Sequence, residues 1–290
     1  MNTESIRNTL LTVSFGISAW EARKQDKRAS AEVAAAHGTD SGVGRYHKDL
    51  LPDATEHQEV LKIRNAWRVW HYENTLAWGD DGQRVMRSAS FFDYAEGYRL
   101  WEQKWLDALH VFYAAYPTLV ATSELRLNTL FNPADYPDVE EVKRRFSVRF
   151  NTYPLPNADD FRVMEGIAPE EAENMRLSAI EGVQAQISDA LKDLWARMHK
   201  VTAAMHERLS IPAGAKGGKF HDTLVTNIED VLAVLPKLNL TNDPDIAAMG
   251  QMMETLVAAG PETLRTAPDL REQTARKAAE LAKKMACFVG

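Results

Sequence analysis

Histidine and glutamate residues in the second half of the chain have the types, but not the spacing, that metal chemistry requires. His206 and Glu207 begin like the His-Glu-x-x-His motif of zinc proteases, which needs a second histidine four residues after the first. Residue 210 is a serine, so that ligand is absent. His199 and His206 lie on one helical face but two turns apart, about 10.5 Å, which is too far to share a metal ion directly. We therefore predict no metal site and no bound cofactor.

Acidic and glycine-rich stretches also differ from the motifs that they partly match. Asp80-Asp81-Gly82 and Asp243-Pro244-Asp245 lack the repeated Asp frame and the distal Glu of a calcium loop. Segment 214–219 lacks the spacing of a phosphate-binding loop, and Phe220 stands where Ser or Thr belongs. No Gly-x-Ser-x-Gly elbow is present, and the single cysteine, Cys287, has no activating base near it in the sequence. These absences favour a non-enzymatic protein, although an active site assembled from distant residues would leave little local signature.

Aromatic residues concentrate in one part of the chain: 13 of the 25 lie between Trp67 and Tyr116. One interpretation is a stacking platform for single-stranded nucleic acid, which would lie in a basic groove. The other is a core where two helices face each other. The window holds five basic residues against seven acidic ones, and its apolar residues recur at spacings of three and four, which favours the core. That stripe comprises Tyr94, Tyr98, Trp101, Trp105, Leu109, Phe112 and Tyr116.

The densest basic run lies within residues 137–165. It comprises Lys143, Arg144, Arg145 and Arg149. Acidic residues in the same window offset these charges, and the whole chain carries a net charge of −7. A dedicated nucleic-acid-binding protein normally has a basic excess, at least locally. Nucleic-acid binding through this patch is therefore an alternative, and it is not favoured.

Three segments have the alternation of apolar and polar residues that is typical of half-buried strands. Leu11–Ala19 alternates throughout, and residues 146–151 repeat the pattern. A third short segment, Phe161–Val163, follows a turn that contains two prolines. We predict a small antiparallel sheet in which residues 146–163 form a hairpin beside the N-terminal strand, with helices packed on it.

Most of the remaining chain has helical periodicity, so the predicted fold class is mainly α, a multi-helix bundle with the small sheet. One helix is expected to begin after Asp53 and to end in the turn at Trp78–Gly82. The helix that carries the aromatic stripe is expected to end at Pro117. Further helices are predicted at 118–131, 138–145, 219–235, 244–259 and 268–288.

The longest predicted helix starts at Pro169 and runs for about 40 residues, or about 60 Å. A helix of this length crosses or projects from a compact domain of this chain size. Its apolar seam requires a partner helix, supplied either by the same chain or by a second copy in a homo-oligomer. The seam comprises Ile180, Val183, Ile187, Leu191, Leu194, Met198, Val201 and Met205.

For domain organisation, we predict an N-terminal helical lobe with the small sheet, residues 1–166, and a C-terminal lobe with the long helix, residues 167–290. The two lobes could also form one continuous domain. The apolar segment Leu10–Trp20 is interrupted by polar residues and followed by Glu21, unlike a secretory signal. No stretch approaches the roughly 18–20 apolar residues that a membrane helix needs. With one cysteine, which suits a reducing compartment, we expect a soluble cytoplasmic protein.

Three stretches carry a family resemblance: Trp20–Asp26, His71–Gly82 and Leu235–Pro244. They resemble an uncharacterised family, a domain of unknown function, of proteobacteria, their phages and conjugative elements. The resemblance extends over nearly the whole chain and contains no catalytic motif. Members of that family are encoded near MoxR-type AAA+ ATPases and von Willebrand factor A-type proteins, sometimes beside single-strand annealing recombination genes. The resemblance thus implies a phage or mobile-element protein with a protein partner of this kind.

We therefore predict a non-enzymatic helical interaction or adaptor protein that partners such an ATPase or von Willebrand factor A-type protein. The predicted partner-binding residues lie in and just after the second stretch: His71, Asn74, Trp78, Asp80, Asp81 and Arg84. Two alternatives stay open. One is an accessory protein of DNA recombination or replication that binds single strands, and the other is a structural protein that self-assembles through coiled-coil pairing of its long helix.

Overall fold

The computed structural model describes residues 8–40, 42–155, 166–211 and 220–289 of the 290-residue chain. Within these ranges the fold is mainly α with a small antiparallel sheet, which confirms the predicted fold class. The helices are α1 Lys27–Ala36, α2 Thr55–Glu73, α3 Phe91–Leu127, α4 Val139–Lys143, α5 Pro169–Leu209, α6 Thr223–Leu238, α7 Pro244–Val257, α8 Gly260–Thr266 and α9 Pro268–Val289. Short 3₁₀ turns occupy Ser88–Ser90, Asn128–Leu130 and Pro133–Asp135.

The strands form two sheets. They are β1 Leu10–Ser18, β2 Arg23–Gln25, β3 His47–Asp49, β4 Leu76–Trp78, β5 Gln83–Arg87 and β6 Ser147–Pro154. One sheet has the order β4-β5-β1-β6, and β2 pairs with β3 in a separate antiparallel sheet. β1 and β6 are neighbours, as the alternation predicts. The third predicted strand, Phe161–Val163, lies outside the described residues.

The β4–β5 hairpin is absent from the sequence-based expectation, which places a turn at Trp78–Gly82 and no strands around it. β4 pairs with β5, and β5 pairs with β1, both antiparallel. The hairpin turn contains Gly79 and Gly82 with φ of 63° and 80°, a left-handed conformation that glycine adopts without steric cost. Alternation does not detect β4 because the strand has only three residues.

The chain forms two compact units whose sequence ranges interleave. Unit 1 comprises Met1–Ser14, His71–Tyr94 and Asn151–Gly290, and unit 2 comprises Phe15–Trp70 and Ala95–Phe150. The sequence-based division into two contiguous lobes, 1–166 and 167–290, differs from this interleaved division and stays a prediction.

The core of unit 2 is rich in aromatic residues. Trp67 of α2 and Trp105 and Phe112 of α3 are each at most 2% exposed. Phe112 and Phe146 meet edge to face, with ring centroids 5.7 Å apart and planes at 60°, a geometry that aromatic rings favour. The burial of these rings confirms that this part of the aromatic stripe is core.

Pro117 does not end its helix, contrary to the prediction. α3 runs through Pro117 as one helix of 37 residues, so the predicted separate helix at 118–131 is largely the last part of α3. A proline inside a helix removes one backbone hydrogen bond and costs about 3 kcal/mol. Phe112 and Tyr116 before the proline are buried, and Leu119 and Val120 after it pack on the same core. That burial offsets the cost and keeps the helix continuous.

Unit 1 is built around α5, whose 41 residues confirm the predicted long helix. α5 packs along α9 and also against α6 and β4. Leu194, Met198 and Met205 of its seam are fully buried in a core rich in aliphatic and methionine side chains. The partner that this seam requires is therefore supplied by the chain itself, and a second copy is not needed to cover it.

Candidate functional site

The predicted partner-binding residues surround the C-terminal end of α2 and the β4–β5 hairpin, all within unit 1. His71, in the last turn of α2, is 1% exposed, and its Nδ1 lies 2.7 Å from Tyr94 Oη. Burial, together with the positive charge of Arg84, lowers the pKa of His71 to about 3. The imidazole is therefore neutral at pH 7 and inaccessible to a partner.

Two arginines hold the backbone carbonyls at this helix end. Arg84 of β5 donates from Nε to Thr75 Oγ1 at 2.7 Å, and from Nη2 to the carbonyl oxygens of Thr75 at 2.8 Å and Tyr72 at 3.2 Å. Arg197 of α5 donates to the same two carbonyl oxygens, each at 3.0 Å. Carbonyls at a helix C-terminus carry partial negative charge and lack partners within the helix. The two guanidinium groups therefore cap α2, and burial lowers the pKa of Arg84 to about 10.

The other four predicted residues divide between the interior and the hairpin turn. Trp78 is 6% exposed and belongs to the unit 1 core, and Asn74 is half-buried. Asp80 and Asp81 are exposed, and Asp81 accepts hydrogen bonds from the backbone N–H and the side-chain amide of Gln83 at 3.1 and 2.9 Å. The structure brings the six residues together mainly as a helix cap and a turn. Partner binding through them stays a prediction, with the two aspartates as its exposed acidic part.

The basic patch lies in unit 2, on α4, the turn after it and the start of β6. Lys143 Nζ is 2.7 Å from Glu140 and Arg145 Nη2 is 2.5 Å from Glu141, so two of the four cations are neutralised locally. Arg144 and Arg149 are exposed and form no ion pair with any residue that the structure describes. Two isolated arginines make a small positive surface.

An open groove of about 640 Å³ lies between α2 and α3 in unit 2. Its apolar lining comes from Ile63 and Ala66 of α2 and from Trp101, Ala108 and Val111 of α3. Val111 is 55% exposed, Ala66 is exposed, and Trp101 is half-buried. The groove therefore leaves apolar surface of both helices in contact with solvent.

The lining residues recur once per helical turn on both walls. On α2 the series is Glu56, Glu59, Ile63 and Ala66, and on α3 it is Trp101, Lys104, Ala108 and Val111. Lys62 and Asp107 also line the groove, each beside a member of its series. Ten residues of helix span about 15 Å, so each wall presents about three turns. This length and repeat match the footprint of another helix.

Charged side chains line the edges of the groove. Lys104 Nζ lies 4.6 Å from the centroid of the Trp101 ring, a cation–π contact. Lys62 Nζ lies 3.4 Å from Glu59. Glu56 and Asp107 add two more carboxylates to the lining, giving three acidic side chains against two basic ones. The edge is therefore slightly acidic.

Sequence reasoning misses this groove because it assigns Ile63 and Trp101 to the core faces of their helices. The available signal is the width of the apolar surface of α3. Trp101, Ala108 and Val111 form a second row beside the buried row of Trp105, Leu109 and Phe112. A helix that packs on one neighbour only needs a single row.

Among the described residues, no three His, Cys, Asp or Glu side chains gather where they could hold a metal ion. No described helix combines the length and the apolarity required to cross a membrane. Comparisons of the chain with protein-family models, with curated proteins and with solved structures find no match.

Proposed function

We propose that this protein is a non-enzymatic helical interaction protein whose unit 2 binds an amphipathic helix of a partner protein in the groove between α2 and α3. One observation carries the proposal: an open groove between two helices in which both helices leave apolar side chains in contact with solvent. Apolar surface left open between two helices is the kind of site that accepts the apolar face of a third.

The groove specifies the chemistry of that partner helix. Apolar side chains spaced at i, i+3 or i+4 and i+7 would meet Ile63, Trp101 and Val111 in turn. Basic side chains beside this apolar row would face the carboxylates of Glu56 and Asp107 at the edges. Trp101 is the expected anchor because tryptophan is enriched among the residues that contribute most to binding energy.

The family resemblance supports a narrower proposal about the partner's identity. Proteins of the resembled family are encoded near MoxR-type AAA+ ATPases and von Willebrand factor A-type proteins, so the occupant of the groove is proposed to be a helix of such a protein. The proposal includes a phage or other mobile element as the source and the cytoplasm as the compartment, which the single cysteine suits.

A matched pair of substitutions on α3 tests the groove. Val111→Lys places a charge in the lining, whereas Leu106→Lys places one on the same helix outside it; the two native side chains are 55% and 53% exposed. A lysine buried against apolar side chains loses hydration without a partner. We expect Val111→Lys to weaken binding of a MoxR-type AAA+ ATPase at least about tenfold, or about 1.4 kcal/mol. We expect Leu106→Lys to leave that binding nearly unchanged. Titration calorimetry with and without nucleotide measures both.

Two results would contradict the proposal in different ways. Equal binding by the two variants would show that the partner binds outside the groove. No association of the native chain with either candidate protein, in any nucleotide state, would remove the ATPase-system partner.

A second candidate function is binding of single-stranded nucleic acid, favoured by the exposed, unpaired Arg144 and Arg149. Phosphate contacts by two cations must weaken as salt rises. Fluorescence anisotropy with an oligonucleotide at about 50 mM salt tests this. Loss of binding on changing both arginines to glutamate would support it, and no binding by the native chain would exclude it.

A further inference from the structure

A second cavity, of about 390 Å³, lies in unit 1 between α6, α7 and the end of β5. This volume falls in the range of small-molecule sites, which combine an apolar lining with a few oriented polar groups. Leu232 and Leu235 of α6 and Ala247 of α7 supply apolar lining here. The cavity is separate from the groove of unit 2 and independent of the function proposed for it.

Arg87 supplies a guanidinium whose position is fixed and whose charge is unbalanced. Its Nη1 donates to Asn242 Oδ1 at 2.8 Å and to the carbonyl oxygen of Pro236 at 3.4 Å. Its Nε is buried without an acceptor, and Nη2 has none in the described ranges. No carboxylate of the described chain forms an ion pair with it. Arg87 is half-buried, and its buried Nε loses hydration without gaining an acceptor, which costs free energy.

Asn242, which accepts the hydrogen bond from Arg87, lies in the loop between α6 and α7, and hydrogen bonds within that loop hold it in place. Asn239 and Asp243 exchange two hydrogen bonds, from Asn239 Nδ2 to Asp243 O and from Asp243 N to Asn239 Oδ1, both at 2.8 Å. Asn242 between them has φ of 53°, a left-handed conformation that asparagine tolerates better than most residues. Its side-chain oxygen is thereby held toward Arg87, so the guanidinium is oriented before any ligand arrives.

The α7 wall of the cavity carries polar side chains that can accept hydrogen bonds, in contrast to the donor Arg87. Ala247, Gly250, Gln251 and Glu254 line it at helical spacing. Glu254 and Gln251 are exposed and form no side-chain hydrogen bond or ion pair within the described residues. On the α6 wall, Pro236 has no N–H, so the carbonyl of Leu232 receives no helical bond from it. The lining therefore includes hydrogen-bond acceptors, the Glu254 carboxylate among them, that form no bond to Arg87.

We infer that this cavity binds a small aliphatic zwitterion, a free amino acid or a molecule of similar size and charge. Its carboxylate would meet Arg87, which can present Nη2 as a charge-assisted donor. Its ammonium group would meet Glu254, with the carbonyl of Leu232 as a second acceptor. Its side chain would lie on Leu235 and Ala247. A simple anion would leave Glu254 opposed to it, and a simple cation would leave Arg87 uncompensated.

Three related molecules test the charge requirement by ligand-detected NMR on the full chain. They are L-leucine, isopentylamine, which lacks the carboxylate, and 4-methylpentanoate, which lacks the ammonium group. We expect leucine to bind at least about tenfold more tightly than either analogue. Arg87→Gln should abolish the preference for leucine over the amine. Glu254→Gln should abolish its preference over the acid, and Glu229→Gln, an exposed acid of α6 outside the cavity, should change neither.

Arg87 also donates a hydrogen bond to the end of α6, so its substitution could unfold the protein. Arg87→Lys keeps the positive charge, and a thermal unfolding curve of each variant shows whether the fold is retained. A folded Arg87→Gln that still prefers leucine over the amine would overturn the inference. If leucine does not bind, the other proteinogenic amino acids are tested next. A concentration of about 10 mM lies well above a millimolar dissociation constant and would reveal weak binding. Binding by none of them would overturn it as well.

Discussion

Each unit holds a cation that is partly or fully buried, and the two units stabilise that charge by different means. In unit 2, Lys48 is 5% exposed, and its Nζ lies 2.8 Å from Asp135 and 3.2 Å from Asp26. In unit 1, the guanidinium of Arg84 is held by helix-end carbonyls and a threonine hydroxyl. Carboxylates balance the first charge, whereas backbone dipoles stabilise the second.

The difference predicts how each unit responds to substitution and to acid. A buried ion pair depends on both partners, and removing one leaves an uncompensated charge. Carbonyl oxygens cannot be removed by mutation and do not titrate, so the cap of α2 is sensitive mainly to the shape of the cation. Beside this cap lies His71, whose pKa is lowered to about 3 by burial and by the charge of Arg84.

The largest effect is expected from Asp135→Asn in unit 2. Asp135 accepts hydrogen bonds from Lys24 at 2.6 Å and pairs with Lys48, and its side chain is 5% exposed. Removing its charge leaves the buried Lys48 with Asp26 as its remaining carboxylate partner in the described chain, which should lower the free energy of unfolding by about 3 kcal/mol. Urea denaturation measures the change. Asp189→Asn, which breaks an exposed pair with Lys192, should cost under about 1 kcal/mol; equal costs would mean that burial does not matter here.

The same variant should alter the acid limb of the stability curve. Burial raises the pKa of Asp135, but hydrogen bonds from Lys24 and Lys48 outweigh burial, and the net pKa lies below the usual 3.8. Its contribution to stability is therefore complete above the unfolded-state pKa of about 3.9 and is lost as pH falls through the lower folded-state pKa. Asp135→Asn should flatten this limb, and an unchanged limb would contradict the ion-pair assignment.

Arg84→Lys should have a smaller effect, about 2 kcal/mol, through lost hydrogen bonds to the end of α2. Lysine keeps the charge, but one ammonium group cannot reach the three acceptors that the fork of Arg84 reaches. Arg276→Lys on α9, where the side chain is 75% exposed, is the matched control and should be nearly neutral. If both changes cost the same, the cap would depend on charge alone.

The effect that is smallest near neutral pH is a pH dependence that His71 gives to unit 1, because it grows only as the pH falls. Its folded-state pKa of about 3 lies below the unfolded value of about 6.5, so below pH 6.5 only the unfolded chain takes up the proton. Stability should fall by about 1.4 kcal/mol for each pH unit below 6.5. His71→Gln should remove this slope between pH 6.5 and about 5, whereas substitution of the exposed His221 should leave it in place.

Local patterns predict the elements, and long-range contacts decide the sites. The seam of α5 and the alternation in β1 extend over many residues, so both are readable from the sequence. Pro117 is misread because the burial that keeps α3 intact comes from tertiary packing. The cap on α2 joins Arg197 to Thr75, 122 positions apart. The spacing of residues within one segment cannot predict a contact between such distant positions. The α2–α3 groove is hidden for the same reason, because its two walls are apolar rows that appear equally suited to a core.

The interleaved course of the backbone restricts how this protein can be divided or inherited. The chain crosses between the units four times, after Ser14, Trp70, Tyr94 and Phe150. A fragment ending near residue 166 would retain His71 and Arg84 but lose Arg197 and all of α5–α9. A single crossover in the gene could likewise transfer neither unit by itself. Because unit 1 contains both the first and the last segment of the chain, any single crossover within the chain divides its core between two parents.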